Sequence, residues 1–188
     1  NKRTAYVEVS RNFTHSGNTS TDQANKGFEM GGTISSEDVI LHGGDLPFII
    51  TFLNIEPNRT LTIDSGVILK MNDYFSSGAI TVNGNLIAKG TKDQKIYITS
   101  LKDDSVGGDT NGDGTVTSPG PRNWNAVFLE SGSKADFDNV VLRYSGHNYN
   151  GEYLLGVAAA IYQRGAEFSV SNSVLEHNWG TAIFQDAG

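Results

Sequence analysis

The chain has 188 residues, a formal charge of −7 and no cysteine, enough length for one domain with a sizeable core. Its acidity excludes nucleic acid and an anionic membrane as main partners, and the missing thiols exclude a disulfide scaffold and thiolate metal sites without fixing a compartment. No apolar run approaches the roughly 18 residues of a membrane-spanning helix, since "PFII" and "VAAAI" are among the longest, so no membrane insertion is expected.

Residues 1–30 match no repeat. "TAYVEV" is expected to be a strand covering an open end of the fold, and "THSGNTSTDQANKG" a loop. The chain opens on Asn1 rather than methionine, as a processed or excised protein would. Triplets at Asn12, Asn18 and Asn58 fit the N-glycosylation acceptor pattern, which matters only in a eukaryotic secretory host.

From residue 31 onward the chain repeats itself. "LTIDSGVILK" at 61 matches "ITVNGNLIAK" at 80, an offset of 19. "AVFLESGSKADFDNVVLRYSG" from Ala126 aligns without a gap to "AAIYQRGAEFSVSNSVLEHNW" from Ala159, an offset of 33. "AIYQ" at 160 recurs as "AIFQ" at 182, an offset of 22. The unit is therefore 19 to 22 residues, and the longer spacing holds an 11-residue insertion at "HNYNGEYLLGV". Within each unit apolar residues alternate (Leu61, Ile63; Ile80, Val82; Val127, Leu129) between Gly, Asn, Asp and Ser, which is a strand signal. A unit this short cannot close a core alone, so units must stack about 4.8 Å apart, each burying the face of the last. That predicts an all-β solenoid. An antiparallel sandwich does not account for the gapless repeats, and the leucine and asparagine spacing of leucine-rich repeats is missing.

One segment interrupts the pattern. "AITVNGN" at 79 matches "AVFLESG" at 126, an offset of 47. Beyond one unit of 22, this leaves an excursion over residues 101–125, a place where functional groups collect.

In chain order, "RTLTIDSGVILKM", "ITVNGNLIAKGTKDQKIYITS", "DDSVGGDTNGDGT", "NWNAVFLESGS" and "ADFDNVVLRYSG" resemble the right-handed parallel β-helix repeats of the pectate-lyase-like superfamily. More narrowly they resemble repeat regions of large secreted microbial surface proteins. The resemblance implies a right-handed parallel β-helix of about six coils over 31–188, with residues 1–30 as an N-terminal cap and 101–125 as an inserted acidic loop. It implies a secreted, cell-surface protein, and it leaves activity open, because the superfamily includes lyases, hydrolases, adhesins and inert stalks.

"DTNGDGT" has the D-x-N-x-D-G spacing of a calcium loop of the EF-hand type. Asp109, Asn111 and Asp113 would point oxygens inward, Gly114 would permit the sharp turn, and the Thr115 carbonyl would take the next position. Position twelve is Gly120, where a bidentate glutamate belongs, so further ligands are expected from Asp103 and Asp104. The cofactor expected is Ca²⁺, acting as a staple that rigidifies the loop. A solvated acidic turn is the alternative, since Asp, Asn and Gly are what turns are made of.

A lyase of this fold needs a basic side chain beside a calcium-bound uronate, for which Arg122, Arg143 and Arg164 are the candidates. A hydrolase needs carboxylates facing each other across a groove, with Asp136 and Asp138 on one strand as the nearest pair. The arginine–proline and Gly-His-Gly strings that the two enzyme types would bring are missing. Trp124, Tyr144, Tyr149, Tyr153, Tyr162 and Trp179 fall in or near the insertions and strand ends, where their rings would either stack on sugars or pack between coils, with Trp124, Tyr144, Tyr149 and Tyr153 the carbohydrate-binding candidates. Together these point to a non-catalytic, adhesin-type module for adhesion, attachment to polysaccharide or a cell-surface glycan, or rigid display. A fragment of a polysaccharide lyase or glycoside hydrolase is the alternative. Because "AIFQDAG" ends one strand into a unit, the C-terminal end is expected to continue into further coils or to meet another molecule.

Overall fold

A computed structural model describes residues 3–21, 25–72, 79–147 and 157–186, and among these residues there is no helix. The strands are β1 (Arg3–Glu8), β2 (Asn25–Ile34), β3 (Val39–Leu41), β4 (Phe48–Ile55), β5 (Thr60–Ile63), β6 (Ile68–Met71), β7 (Ala79–Val82) and β8 (Asn85–Lys89). They continue with β9 (Ile96–Ser100), β10 (Val127–Leu129), β11 (Lys134–Asp138), β12 (Val140–Arg143), β13 (Ala159–Arg164), β14 (Glu167–Ser171), β15 (Val174–Glu176) and β16 (Thr181–Asp186).

Every described pairing is parallel. One sheet runs β15-β12-β9-β6-β4-β7-β10-β13-β16 with β2 and β1 attached, and a second runs β14-β11-β8-β5-β3. Strand β4 joins two columns, because Phe48 to Ile50 pair with β6 while Phe52 to Ile55 pair with β7. The strands thus stand in three columns around one apolar interior, an arrangement consistent with the expected parallel β-helix.

Register explains the interior. Phe48, Leu69, Ile98, Leu142 and Leu175 are partners down one column. Leu53, Ile80, Val127, Ile161 and Ile183 are partners down the second, and Leu61, Leu86, Ala135 and Phe168 down the third. All point inward because the side-chain period of a strand is two. Each fully buried aliphatic side chain contributes about 1.5–3 kcal/mol. Burial is complete in the middle strands and fails at the last level, where Val170 is 41% and Val174 38% exposed.

The repeats map onto these columns unevenly. The offsets of 22 (Ile161 on Ile183) and 33 (Lys134 on Glu167, Val141 on Val174) are structural partners, as is the offset of 47 (Ile80 on Val127). The gapless alignment from Ala126 is off by one on β10, where Val127 pairs with Ile161 and Phe128 with Tyr162. The offset of 19 is not a register at all: Leu61 pairs with Leu86, and Ile80 belongs to another column.

The boundary expected after residue 30 falls inside β2, which pairs with β4 from Phe28 onward. All of "TAYVEV" but its last residue, Val9, lies in β1, a strand as expected, which extends the sheet beyond β2. The following strap caps β3, whose outer edge would otherwise be unpaired. Asn12 Oδ1 accepts the Ile40 N–H at 2.8 Å, and Asn12 Nδ2 donates to the Asp38 carbonyl at 3.2 Å. His15, 1% exposed, is held to Asp45 at 2.7 Å and packs among Phe13, Phe28 and Phe48.

Candidate functional site

Residues 101–126 leave β9 and rejoin the fold at β10. The excursion does not project into solvent. It lies back as a flap over the outer side of β9, β6, β4 and β2, and named atoms mark its path. Lys70 on β6 donates from Nζ to the Asp103 carbonyl at 2.6 Å and to the Gly108 carbonyl at 2.9 Å. Lys26 on β2 donates its N–H to the Thr110 carbonyl at 2.7 Å, and its ammonium meets Asp109 Oδ2 at 2.9 Å. Gly107 rests on Pro47 and Ile68 with φ of +67°, a close approach and a left-handed turn that only glycine accommodates without strain.

The tip folds around Asp109. Its Oδ1 accepts the Asp113 N–H at 3.0 Å and its Oδ2 the Gly114 N–H at 3.2 Å, the side-chain-to-backbone bonding that makes aspartate a turn residue. Asp113 Oδ2 accepts from Asn111 Nδ2 at 2.7 Å and from Thr117 Oγ1 at 2.5 Å. Three oxygens are left shielded from water with no hydrogen-bond partner: Asp104 Oδ1, Asn111 Oδ1 and Asp113 Oδ1. Carboxylate oxygens of Asp104, Asp109 and Asp113 lie within 4.8 Å of one another. Oxygens without donors, gathered around three carboxylates, fit a hard cation such as Ca²⁺.

The charges respond to this crowding. Burial, reinforced by Asp109 and Asp113, pushes the Asp104 carboxyl above the usual carboxylate range. The Lys26 hydrogen bond holds Asp109 below it. Burial drives Lys70 down to about 8, against the pull of Asp103, Asp104 and Asp109.

Of the expected metal ligands, the fold brings together Asp104, Asp109, Asn111 and Asp113. Asp103 is not among them. Its side chain is 1% exposed, and Oδ2 accepts from Arg143 Nη2 at 2.6 Å, Arg143 Nε at 2.9 Å and Thr99 Oγ1 at 2.5 Å. Oδ1 takes the Ser105 N–H and hydroxyl. Burial alone would raise the Asp103 carboxyl, but the bonds from Thr99, Ser105 and Arg143 outweigh it and hold it low. Thr115, expected to offer its carbonyl, is exposed. Lys70 and Lys26 were not singled out in the sequence. A lysine at an outward strand position is ordinarily a solvated one, and no local pattern announces that a flap will lie on it.

Among the described residues, Trp124 and Tyr144 do not form a solvent-facing platform. Trp124 is 2% exposed and its Nε1 donates to the Arg143 carbonyl at 2.8 Å, so it packs in the core rather than facing a sugar. Tyr144 stacks on His177 at 5.6 Å and lies under the Arg143 guanidinium, while Tyr149 and Tyr153 fall outside the described residues. The basic and acidic groups considered for catalysis are engaged by other polar groups except Arg122, whose guanidinium lies 5.4 Å from the Trp179 ring centroid. Arg143 also meets Glu176 at 3.4 Å, and Arg164 meets Glu130 at 3.2 Å. Asp136 is bonded to Lys89 at 2.6 Å and Ser169 at 2.7 Å, and Asp138 to Asn139 and Asn172. Comparison of the chain with protein-family models, curated proteins and solved structures finds no match.

Proposed function

We propose that the chain is a right-handed parallel β-helix of about six coils that serves as a secreted, non-catalytic surface module of adhesin type. In this reading the flap holds Ca²⁺ and the module attaches to polysaccharide. Right-handed winding follows from the strong preference of parallel crossover connections for that hand. The observation that carries the calcium reading is the set of unpartnered oxygens on Asp104, Asn111 and Asp113 beside Asp109. When bound, calcium would supply the positive charge that these carboxylates lack. The residues' own part is to hold the tip in its turn, through Asp109 and the glycines around it.

A non-catalytic role is supported by what the polar groups already do. A lyase base must be free to take a proton, yet Arg143 is clamped by Asp103, Ser105 and Glu176. A hydrolase carboxylate must be free to donate one, yet Asp136 is bonded to Lys89 and Ser169. The enzyme-fragment alternative draws no comparable support.

Calorimetric titration with calcium tests the metal reading. Extracellular calcium modules bind at about 10⁻⁴–10⁻³ M, so one ion per chain is expected in that range, and none in the Asp104→Asn/Asp113→Asn variant. Absence of binding in the parent protein at about ten times the upper end of that range, roughly 10⁻² M, would leave the flap a solvated acidic turn.

A further inference from the structure

We infer that Trp179 and Arg122 form a docking platform for an anionic glycan, at the corner where the chain passes from β15 to β16. The inference rests on the polysaccharide-binding reading above and places the contact at Trp179, one of the six aromatic residues considered from the sequence, rather than at Trp124, Tyr144, Tyr149 or Tyr153.

Trp179 is 51% exposed, and the Arg122 guanidinium lies 5.4 Å from its ring centroid. Among the described residues Arg122 is paired with no carboxylate, unlike Arg143 and Arg164. An open indole offers a flat apolar face to a pyranose ring. An unpaired guanidinium beside it offers a planar fork of donors to a carboxylate or sulfate.

Three observations indicate a built arrangement. First, one buried carbonyl sets the pair side by side: Ser145 O accepts the Arg122 N–H at 3.0 Å and the Trp179 N–H at 2.9 Å. Ser145 is itself fixed by Asn178 Oδ1, which accepts its N–H at 2.9 Å and its hydroxyl at 2.8 Å. Second, Gly146 makes room, because a Cβ there would collide with the Trp179 carbonyl, and Gly146 sits at φ +96°. Third, backbone strain concentrates here. Six described non-glycine residues have positive φ, and three are asparagines, which tolerate it. The other three are Arg122 (+71°), Tyr144 (+65°) and His177 (+52°), all at this corner. Bulky residues held in that conformation mark places where the surrounding structure fixes a side chain's direction.

Charge favours an anionic partner locally although the chain as a whole is acidic. The acid nearest in sequence, Glu176, is engaged by Arg143 at 3.4 Å and His177 at 3.9 Å. His147, whose Nδ1 lies 3.1 Å from the Arg122 carbonyl, adds a second nitrogen heterocycle.

The protein's two tryptophans make the test direct. Trp124 is buried and Trp179 exposed, so a ligand on the platform changes the Trp179 emission. The full chain in calcium buffer is titrated with hyaluronan (carboxylate), dextran sulfate (sulfate) and unmodified dextran (neutral), alongside Trp179→Ala and Arg122→Gln, both checked for unchanged melting. The expected result is an emission change with one or both anionic polymers in the parent, and, by calorimetric titration, which does not depend on the Trp179 reporter, abolished binding in Trp179→Ala and affinity about tenfold weaker in Arg122→Gln, the loss of a hydrogen bond to a charged group. Which anionic polymer responds identifies carboxylate or sulfate. Binding that neither variant alters overturns the platform and leaves the glycan reading standing. Dextran binding as well as the charged polymers, untouched by Arg122→Gln, overturns the anionic assignment. No binding of any polymer by the parent protein overturns both readings.

Discussion

Replacing Asp103 by asparagine keeps the side chain's shape and removes its charge, at the most fully engaged carboxylate of the flap. Asp103 is 1% exposed and Arg143 13%, with Nη2 and Nε of the guanidinium 2.6 and 2.9 Å from one oxygen. Breaking one partner out of a buried pair costs about 3–5 kcal/mol, because the other charge is left without compensation. The lower end applies here, since Arg143 keeps Glu176 at 3.4 Å. For a domain of this length about 1 kcal/mol moves the melting point by roughly 2–4 °C, so Asp103→Asn should lower it by about 6–12 °C. The assay is thermal unfolding followed by circular dichroism at neutral pH, once with calcium and once with EDTA. Because Asp103 is held by protein donors rather than gathered at the tip, the drop should appear in full with EDTA, and calcium should add to it only what the variant loses through weaker binding at the tip. A drop of under about 2 °C, less than 1 kcal/mol, would refute the buried pair. A drop present only with calcium would return Asp103 to the metal ligands. The pH dependence carries a further check. The folded carboxyl is held below its ordinary value of 3.8, so its contribution is present above that value and is lost as pH falls through the folded one. The gap between parent and variant should therefore close in acid.

Calcium at about a hundred times its dissociation constant should stabilise the parent by about 2.7 kcal/mol, or roughly 5–10 °C, and leave the Asp104→Asn/Asp113→Asn variant unmoved in the same melts. Tyr162→Ala should cost about 3–5 kcal/mol in urea unfolding, because the ring is 2% exposed and stacked on Phe128 at 5.1 Å. Tyr162→Phe should cost only about 1 kcal/mol, for the bonds its hydroxyl makes to the Val157 carbonyl and the Ala159 N–H; equal losses in the two variants would contradict the stack. Lys70 titrates at about 8 when folded against 10.5 ordinarily, so between those values the unfolded chain holds the proton that the folded chain has released. Stability then rises with pH from this group, and the parent should gain on Lys70→Met by up to about 1.4 kcal/mol per pH unit. A loss across that window, read from melts at successive pH values, would reverse the sign and refute the burial of the ammonium.

Strand identity was legible in the sequence wherever inward and outward residues alternate, since the period of two needs no knowledge of neighbours. Column identity was not. Leu61 and Ile80 sit in equally good strand patterns, so the offset of 19 looked like a register, yet one strand stands in the third column and the other in the second. The offset of 22 worked because "AIYQ" and "AIFQ" follow each other in one column with no insertion between them beyond a single turn. The slip at Phe128 has a local cause: four residues lie between Leu129 and Lys134, where only three lie between their partners Gln163 and Glu167. The acidic segment was legible as a gathering of oxygens, because D-x-N-x-D-G fixes the local turn. Its counter-charges were not, because Lys26 and Lys70 come from strands 83 and 38 residues away from the atoms they bond. Trp124 misled for a related reason. An aromatic residue in an insertion suggests exposure only if the insertion leaves the surface, and this one returns to it.

The flap therefore divides into a base and a tip held by different means. At the base, Lys70 and Arg143 reach out from the strands beneath to bind Asp103, Gly108 and Ser105, so the chain's own cations anchor the flap. At the tip, Lys26 holds Asp109 through its ammonium and Thr110 through its N–H, and Asp104 Oδ1, Asn111 Oδ1 and Asp113 Oδ1 remain without donors. A single ion at the tip has no reason to alter the base, and a broken base has every reason to release the tip. Loss of calcium should then loosen residues 109–117 while Lys70 keeps its protection, whereas Asp103→Asn should weaken calcium binding as well as stability. Amide hydrogen exchange separates the two. If removing calcium frees the Asp103 to Gly108 segment as fully as the tip, the flap is one cooperative unit, and the ion rather than the buried lysine holds it down.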